Sequence, residues 1–250
     1  MNEDKLIYNF NVNSFGVKAE YRKKDIDGIF IPLAKRFDEL RRNLCRRAVI
    51  YLAGPCGAGK TTLSLLLQSL CNDADDTGSF AQALGMDGFH HRSGYLSQNH
   101  IYKNGARVLL CDIKGAAETY DFEKLYKKTA ALRHRDVYWP GYDRLIHDTV
   151  EDVTFVNGRI AIIEGNWLLL DEPPWRELSR FCDYSIFVGA DFETLVNRLT
   201  ERKIMGGLGP DEAKKFVMRS DVENIRRISA RRLKCDLELQ MKTDGSFAVI

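Results

Sequence analysis

Eight consecutive residues, Gly54-Pro55-Cys56-Gly57-Ala58-Gly59-Lys60-Thr61, restrict the folds open to this chain more than any other part of its 250 residues. They match G-x-x-x-x-G-K-[ST], follow the apolar run Val49 to Ala53 and open an apolar helix from Leu63 to Leu70. In that setting the glycines let successive backbone N–H groups point at one anion, and the positive end of the helix dipole adds to the attraction. The expected nucleotide-binding set is these eight residues with Thr62. Lys60 is expected to reach the β- and γ-phosphates of ATP, and Thr61 to offer its hydroxyl to Mg²⁺.

From Ala48 onward, apolar runs alternate with helical segments, which argues for βαβ units and a parallel sheet covered on both faces. Expected strands are Ala48 to Ala53, Ala83 to Met86, Arg159 to Ile163, Tyr184 to Val188 and Leu237 to Met241. Expected helices run from Lys60 to Cys71, Phe122 to Arg133, Phe192 to Lys203 and Asp211 to Leu233, with Asp121, Asp191 and Pro210-Asp211 as start signals. Residues 73–80 read as an exposed loop, and the Gly, Asn, Gln and Ser content within 88–118 argues for irregular structure. Residues 1–46 form an N-terminal extension ahead of the 47–250 domain. Its one helical stripe is Leu33, Phe37, Leu40 and Leu44, and the basic residues around it, Arg46 and Arg47 included, read as a solvated helix face, with a binding patch as the alternative. The extension either packs on the core or makes a homodimer contact.

A net charge of +2 gives no general argument for a nucleic-acid or membrane partner. Six widely spaced cysteines read as reduced thiols, and no apolar segment has the length of a signal peptide or a membrane span. The cytoplasm is the expected compartment.

Two carboxylates mark strand ends. Asp87 closes the run Ala83 to Met86 at the sheet edge where α/β ligands bind. There it is placed to take the proton of an acceptor hydroxyl, a Mg²⁺ ligand or a helix cap being the alternatives. Glu164 follows Ile160-Ala161-Ile162-Ile163, as the acidic residue at the end of a Walker B strand does, and is a candidate Mg²⁺ ligand or a purely structural group. His90 and His91, beside Asp87, are candidate acceptor contacts.

Met86-Asp87-Gly88-Phe89, the stretch Lys114 to Asp121, the stretch Tyr142 to Asp148, and Ile163-Glu164-Gly165-Asn166-Trp167 occur in an order that resembles the phosphoribulokinase, uridine kinase and bacterial pantothenate kinase group, over about residues 48 to 240. The nearest branch by resemblance is the nucleoside kinase-like or fructose-transport-system kinase one. The resemblance implies a P-loop NTPase fold with a five-stranded parallel sheet, ATP and Mg²⁺ as cofactors, a small-molecule acceptor, Asp87 as base and Glu164 near the metal. It also implies acceptor contacts from Tyr142, Arg144 and Asn166, and a lid around 198–210 that carries Arg198 and Arg202 and hinges at Gly206 to Pro210. Trp139, Tyr142 and Trp167 are candidates for stacking on a flat acceptor. Bacterial pantothenate kinases carry His where this chain has Arg144, and a guanidinium suits an acceptor already bearing a carboxylate or phosphate. The competing readings are a P-loop ATPase or GTPase that drives a partner, and an ATP-binding regulatory protein.

Overall fold

The computed structural model of the chain describes residues 4–12, 15–73, 81–103 and 105–250. Most of the loop expected at 73–80 lies outside them. The chain opens with an antiparallel hairpin of β1 (Lys5–Val12) and β2 (Phe15–Arg22). A helical stretch follows: α1 (Lys23–Asp25), a wide turn at Ile26–Phe30, and α2 (Ile31–Asn43). The hairpin is an element of the extension that the sequence reading did not anticipate. Its signal is a period of two in β1, where Tyr8, Phe10 and Val12 turn inward while Ile7, Asn9 and Asn11 stay exposed.

Next come β3 (Ala48–Ala53), α3 (Lys60–Asp73), β4 (Ala81–Gly85), α4 (Ser93–Gln98), β5 (His100–Lys103), β6 (Ala106–Leu109), α5 (Phe122–Leu132), β7 (Val137–Asp143), β8 (Asp148–Val156) and β9 (Ile160–Gly165). The last third holds β10 (Tyr184–Ala190), α6 (Phe192–Met205), α7 (Pro210–Phe216), α8 (Val222–Ala230), β11 (Leu237–Met241) and β12 (Phe247–Val249). The main sheet has six strands in the order β12-β11-β10-β3-β9-β4. Five run parallel, as expected, and β12 adds an antiparallel edge to β11 that the sequence reading missed.

Several boundaries also differ. The expected helix from Asp211 to Leu233 is a run over 210–230 with a wide turn at Val217–Asp221. Asp121 caps α5 by accepting from the Lys124 N–H. Asp191 makes no cap bond and accepts from Gln240 instead. Within 88–118, β5 and β6 pair as a hairpin rather than forming irregular chain.

Alternation along β3 divides the core in two. Ala48, Ile50 and Leu52 pack with α3 and with Tyr21, Ile26, Phe30, Leu33 and Phe37 of the N-terminal segment. Val49, Tyr51 and Ala53 pack on the other face with Phe89, Tyr120, Trp139 and Trp167. The expected solvated basic face also needs correcting at its C-terminal end, because α2 stops at Asn43. Arg46 makes a bidentate pair with Asp183, and Arg47 is buried with its guanidinium on the carbonyls of Leu132, Arg135, Val156 and Gly158 and on Asp136. A buried charge needs such partners, so these two arginines fix the start of β3.

Candidate active site

The nucleotide end is built by the turn between β3 and α3. Gly54, Gly57 and Gly59 all have positive φ, of 149°, 87° and 81°. A Cβ at Gly54 would lie 2.2 Å from the Val188 carbonyl oxygen, so the loop depends on close approach to β10 as well as on backbone freedom. Lys60 is only 6% exposed, and its ammonium donates to the Pro55 carbonyl at 2.9 Å and to Asn166 Oδ1 at 2.8 Å. Asn166 in turn donates to Cys56 Sγ at 2.9 Å. The Thr62 hydroxyl donates to the Gly59 carbonyl.

Parallel register then aligns the acidic residues. Glu164 in β9 sits level with Leu52 of β3 and Gly85 of β4, so the ends of three adjacent strands meet at one edge. The Thr61 hydroxyl donates to Glu164 Oε1 at 2.8 Å. Burial pushes the Glu164 carboxyl pKa up, and the Asp87 charge adds to that, against Lys60 and Arg144. Thr61 and Glu164 thus present two adjacent oxygen donors, a fit for Mg²⁺, which keeps several waters and takes few protein ligands. Among the described residues no cluster of three His, Cys, Asp or Glu offers a metal cage.

Asp87 lies in a short 3₁₀ turn, Met86–Phe89, directly after β4. The Tyr120 hydroxyl donates to Asp87 Oδ1 at 3.1 Å. Tyr120 was not singled out from the sequence; it lies beside the cap residue Asp121, and nothing local announces that its phenol turns toward Asp87. Gly88 explains how the next wall is placed. A Cβ there would lie 2.3 Å from the Pro140 carbonyl oxygen, so β7 can press against the Asp87 turn only because residue 88 has no side chain. The Trp139 indole N–H donates to the Gly85 carbonyl at 2.9 Å and ties β7 to β4.

These contacts produce a cleft of about 520 Å³ that contains Thr61, Asp87, Glu164, Tyr142 and Arg144. Arg144 has no ion-pair or hydrogen-bond partner among the described residues, although it is close enough to act on the Glu164 charge. The Lys114 ammonium donates to the His147 carbonyl and lies 4.9 Å from the centre of the Tyr142 ring, steadying that side chain. Lys114 is a second residue whose contact the sequence did not announce.

Other expected contacts fall elsewhere. His90 stacks on Tyr120 at 3.7 Å and bonds Thr119, and His91 stacks on Tyr95, so neither lines the cleft. Asn166 belongs to the Lys60 end. Trp167 is fully buried with its N–H on the Gly115 carbonyl; Trp139 lines the cleft but is buried, and Tyr142 is the most exposed ring of the three. Arg198 reaches the loop, with Nη1 at 3.3 Å from the Gly57 carbonyl, whereas Arg202 is exposed on the last turn of α6. Beside it, Lys203 lies over the Phe216 ring at 3.8 Å, and burial lowers its pKa.

A larger hollow of about 710 Å³ lies along α5 and β7–β8. Its Lys124, Lys127 and Lys128 are paired with Glu151, Glu123 and Asp152, and it holds none of the expected site residues. Thr61, Asp87, Tyr142, Arg144 and Glu164 all lie in the smaller cleft.

No family model matches the chain. The protein YggC of Escherichia coli (strain K12) is 37% identical over 237 residues, which cover 94% of this chain and 96% of YggC. A candidate uridine kinase of Schizosaccharomyces pombe is 29% identical over 202 residues, 78% of this chain and 83% of its own length. The crystal structure of a candidate fructose transport system kinase from Silicibacter sp. TM1040 superposes with a TM-score of 0.73 at 33% identity, covering 84% of this chain and 98% of that one. No helix among the described residues is long and apolar enough to cross a membrane. Sequence likeness, strand order and the loop at Gly54 to Thr61 agree, and the chain belongs to the phosphoribulokinase and uridine kinase-like group of P-loop kinases.

Proposed function

We propose that this chain transfers the γ-phosphoryl group of MgATP to a hydroxyl of a small molecule that carries a carboxylate or phosphate elsewhere. The observation that carries this reading is one cleft holding a loop hydroxyl, two strand-end carboxylates and a half-buried guanidinium without a partner. Asp87, aimed by Tyr120, accepts the acceptor hydroxyl proton as its oxygen forms a bond to the γ-phosphorus and the bond to the β-phosphate oxygen breaks. Lys60, released from Asn166 and Pro55 by the nucleotide, neutralises charge on the phosphates. Thr61 and Glu164 would hold Mg²⁺, which supplies charge neutralisation between the phosphate oxygens. Arg198 stays near the loop, and residues 198–210 act as a lid that brings Arg202 in and excludes water. Arg144 binds the anionic end of the acceptor, while Tyr142 packs on its flat or apolar part.

The test measures ADP release from MgATP with uridine, fructose, fructose 6-phosphate and pantothenate. Fructose and uridine enter because similar proteins bear those names. The expected result is stimulation by an anionic compound, with Asp87→Asn lowering turnover by about 10²–10⁴-fold. Turnover independent of any acceptor and unchanged in Asp87→Asn would support a hydrolase that drives a partner, and would sink the kinase reading.

A further inference from the structure

We propose that the C-terminal end of β1 forms a wall of the acceptor site and that Asn11 is a specificity-determining residue within it. The proposal rests on the kinase reading above. Asn11 and Val12 line the same cleft as Thr61, Asp87, Glu164, Tyr142 and Arg144, although more than forty residues separate them from the phosphate loop. Val12 is buried, whereas Asn11 is exposed and its carboxamide has no hydrogen-bond partner among the described residues.

The hairpin is anchored at its other end. Arg22 pairs with Asp244 at 2.7 Å, and the Lys23 N–H donates to the Asp4 carbonyl. Tyr21 is buried between Phe30 and Phe247 and packs in the same core as Leu63, Leu66 and Leu67 of α3. Tyr8 and Phe10 face the core that contains α3. One strand face is therefore committed to packing, and Asn11 belongs to the other. The hairpin packs on the helix that follows the phosphate loop, and the C-terminal end of β1 reaches the cleft.

A carboxamide both donates and accepts hydrogen bonds and carries no charge. It pairs with hydroxyl or carbonyl groups, whereas Arg144 in the same cleft attracts an anion. An acceptor held by both is a polyhydroxylated anion, of the class of sugar phosphates and sugar acids. Asn11 reads its uncharged part, and the reacting hydroxyl lies at Asp87.

The experiment compares wild type, Asn11→Ala and Asn9→Ala in ADP release with MgATP and each of uridine, fructose, fructose 6-phosphate and gluconate. Asn9 lies on the same strand outside the cleft. With the compound that stimulates wild type, Asn11→Ala is expected to raise the acceptor KM at least about fivefold, while KM for ATP stays within about twofold and Asn9→Ala behaves as wild type. Unchanged acceptor kinetics in Asn11→Ala overturn the assignment and leave the kinase reading standing. A parallel rise in both KM values also overturns it, because the hairpin would then act only by supporting α3. Failure of all four compounds to stimulate wild type overturns the acceptor class and the assignment together.

Discussion

The two ends of the site are built differently. At the nucleotide end, polar side chains are already engaged: Lys60 on Pro55 and Asn166, Asn166 on Cys56, Thr62 on Gly59. The supports come from β3, α3 and β9, adjacent elements of one sheet layer. At the acceptor end, Arg144 and Asn11 have no partners among the described residues, and the walls come from two hairpins and the turn after β4. On the kinase reading, an end whose partners already exist suits one invariant ligand, and the open end leaves ligand choice to residues whose partners come with the acceptor.

This contrast can be broken by mutation. The largest effect is expected at the pre-organised end: Lys60→Met should lower turnover by roughly 10²–10³-fold with any acceptor, as loss of one preorganised electrostatic donor does. A loss that depends on the acceptor would mean that Lys60 does not serve the nucleotide alone. Next in size, Arg144→Ala should raise KM for an anionic acceptor by about 10–100-fold, the worth of a charge-assisted hydrogen bond, and leave an uncharged acceptor within about twofold. Equal effects on charged and uncharged compounds would remove the anion role and make the open end a shape filter only.

The smallest effect concerns the packing between the two ends. Burial lowers the His90 pKa from its ordinary 6.5, against the opposing pull of Asp87 and with Lys114 and His91 adding to the lowering. Below 6.5 the unfolded chain takes up a proton that folded His90 resists, so the His90 contribution to stability is present above that value and is lost as pH falls toward the lowered one. Thermal melts at pH 7.5 and 5.5 should show a decline that is smaller in His90→Gln. An identical decline in the variant would place the acid sensitivity elsewhere.

Much of the nucleotide end was legible because its physics is local. Phosphate binding needs several backbone N–H groups converging within one turn, and that requirement compresses into the eight residues from Gly54 to Thr61. Asp87 and Glu164 were legible for a related reason: a buried parallel strand is a short apolar run, and a carboxylate at or just past its C-terminal end stands at the sheet edge. Their expected roles still await the experiments above. Arg47 was misread because burial of a charge is set by carbonyls more than eighty residues away, which no periodicity records. His90 and His91 stand near Asp87 in sequence, yet ring stacking on Tyr120 and Tyr95 takes them out of the cleft.

By itself, then, the sequence determined the phosphate loop, the parallel α/β layering and the two strand-end carboxylates, since each follows from contacts or periodicities within about ten residues. Tertiary structure alone decided which residues share one cleft with Asp87. Whether Asn11, Asp87 and Arg144 line one cleft depends on hairpin register, on the space left by Gly88 for Pro140, and on the packing of Tyr21 against Phe30 and Phe247. Those are contacts between segments distant in the chain, and the energy that fixes them appears only when the segments are packed.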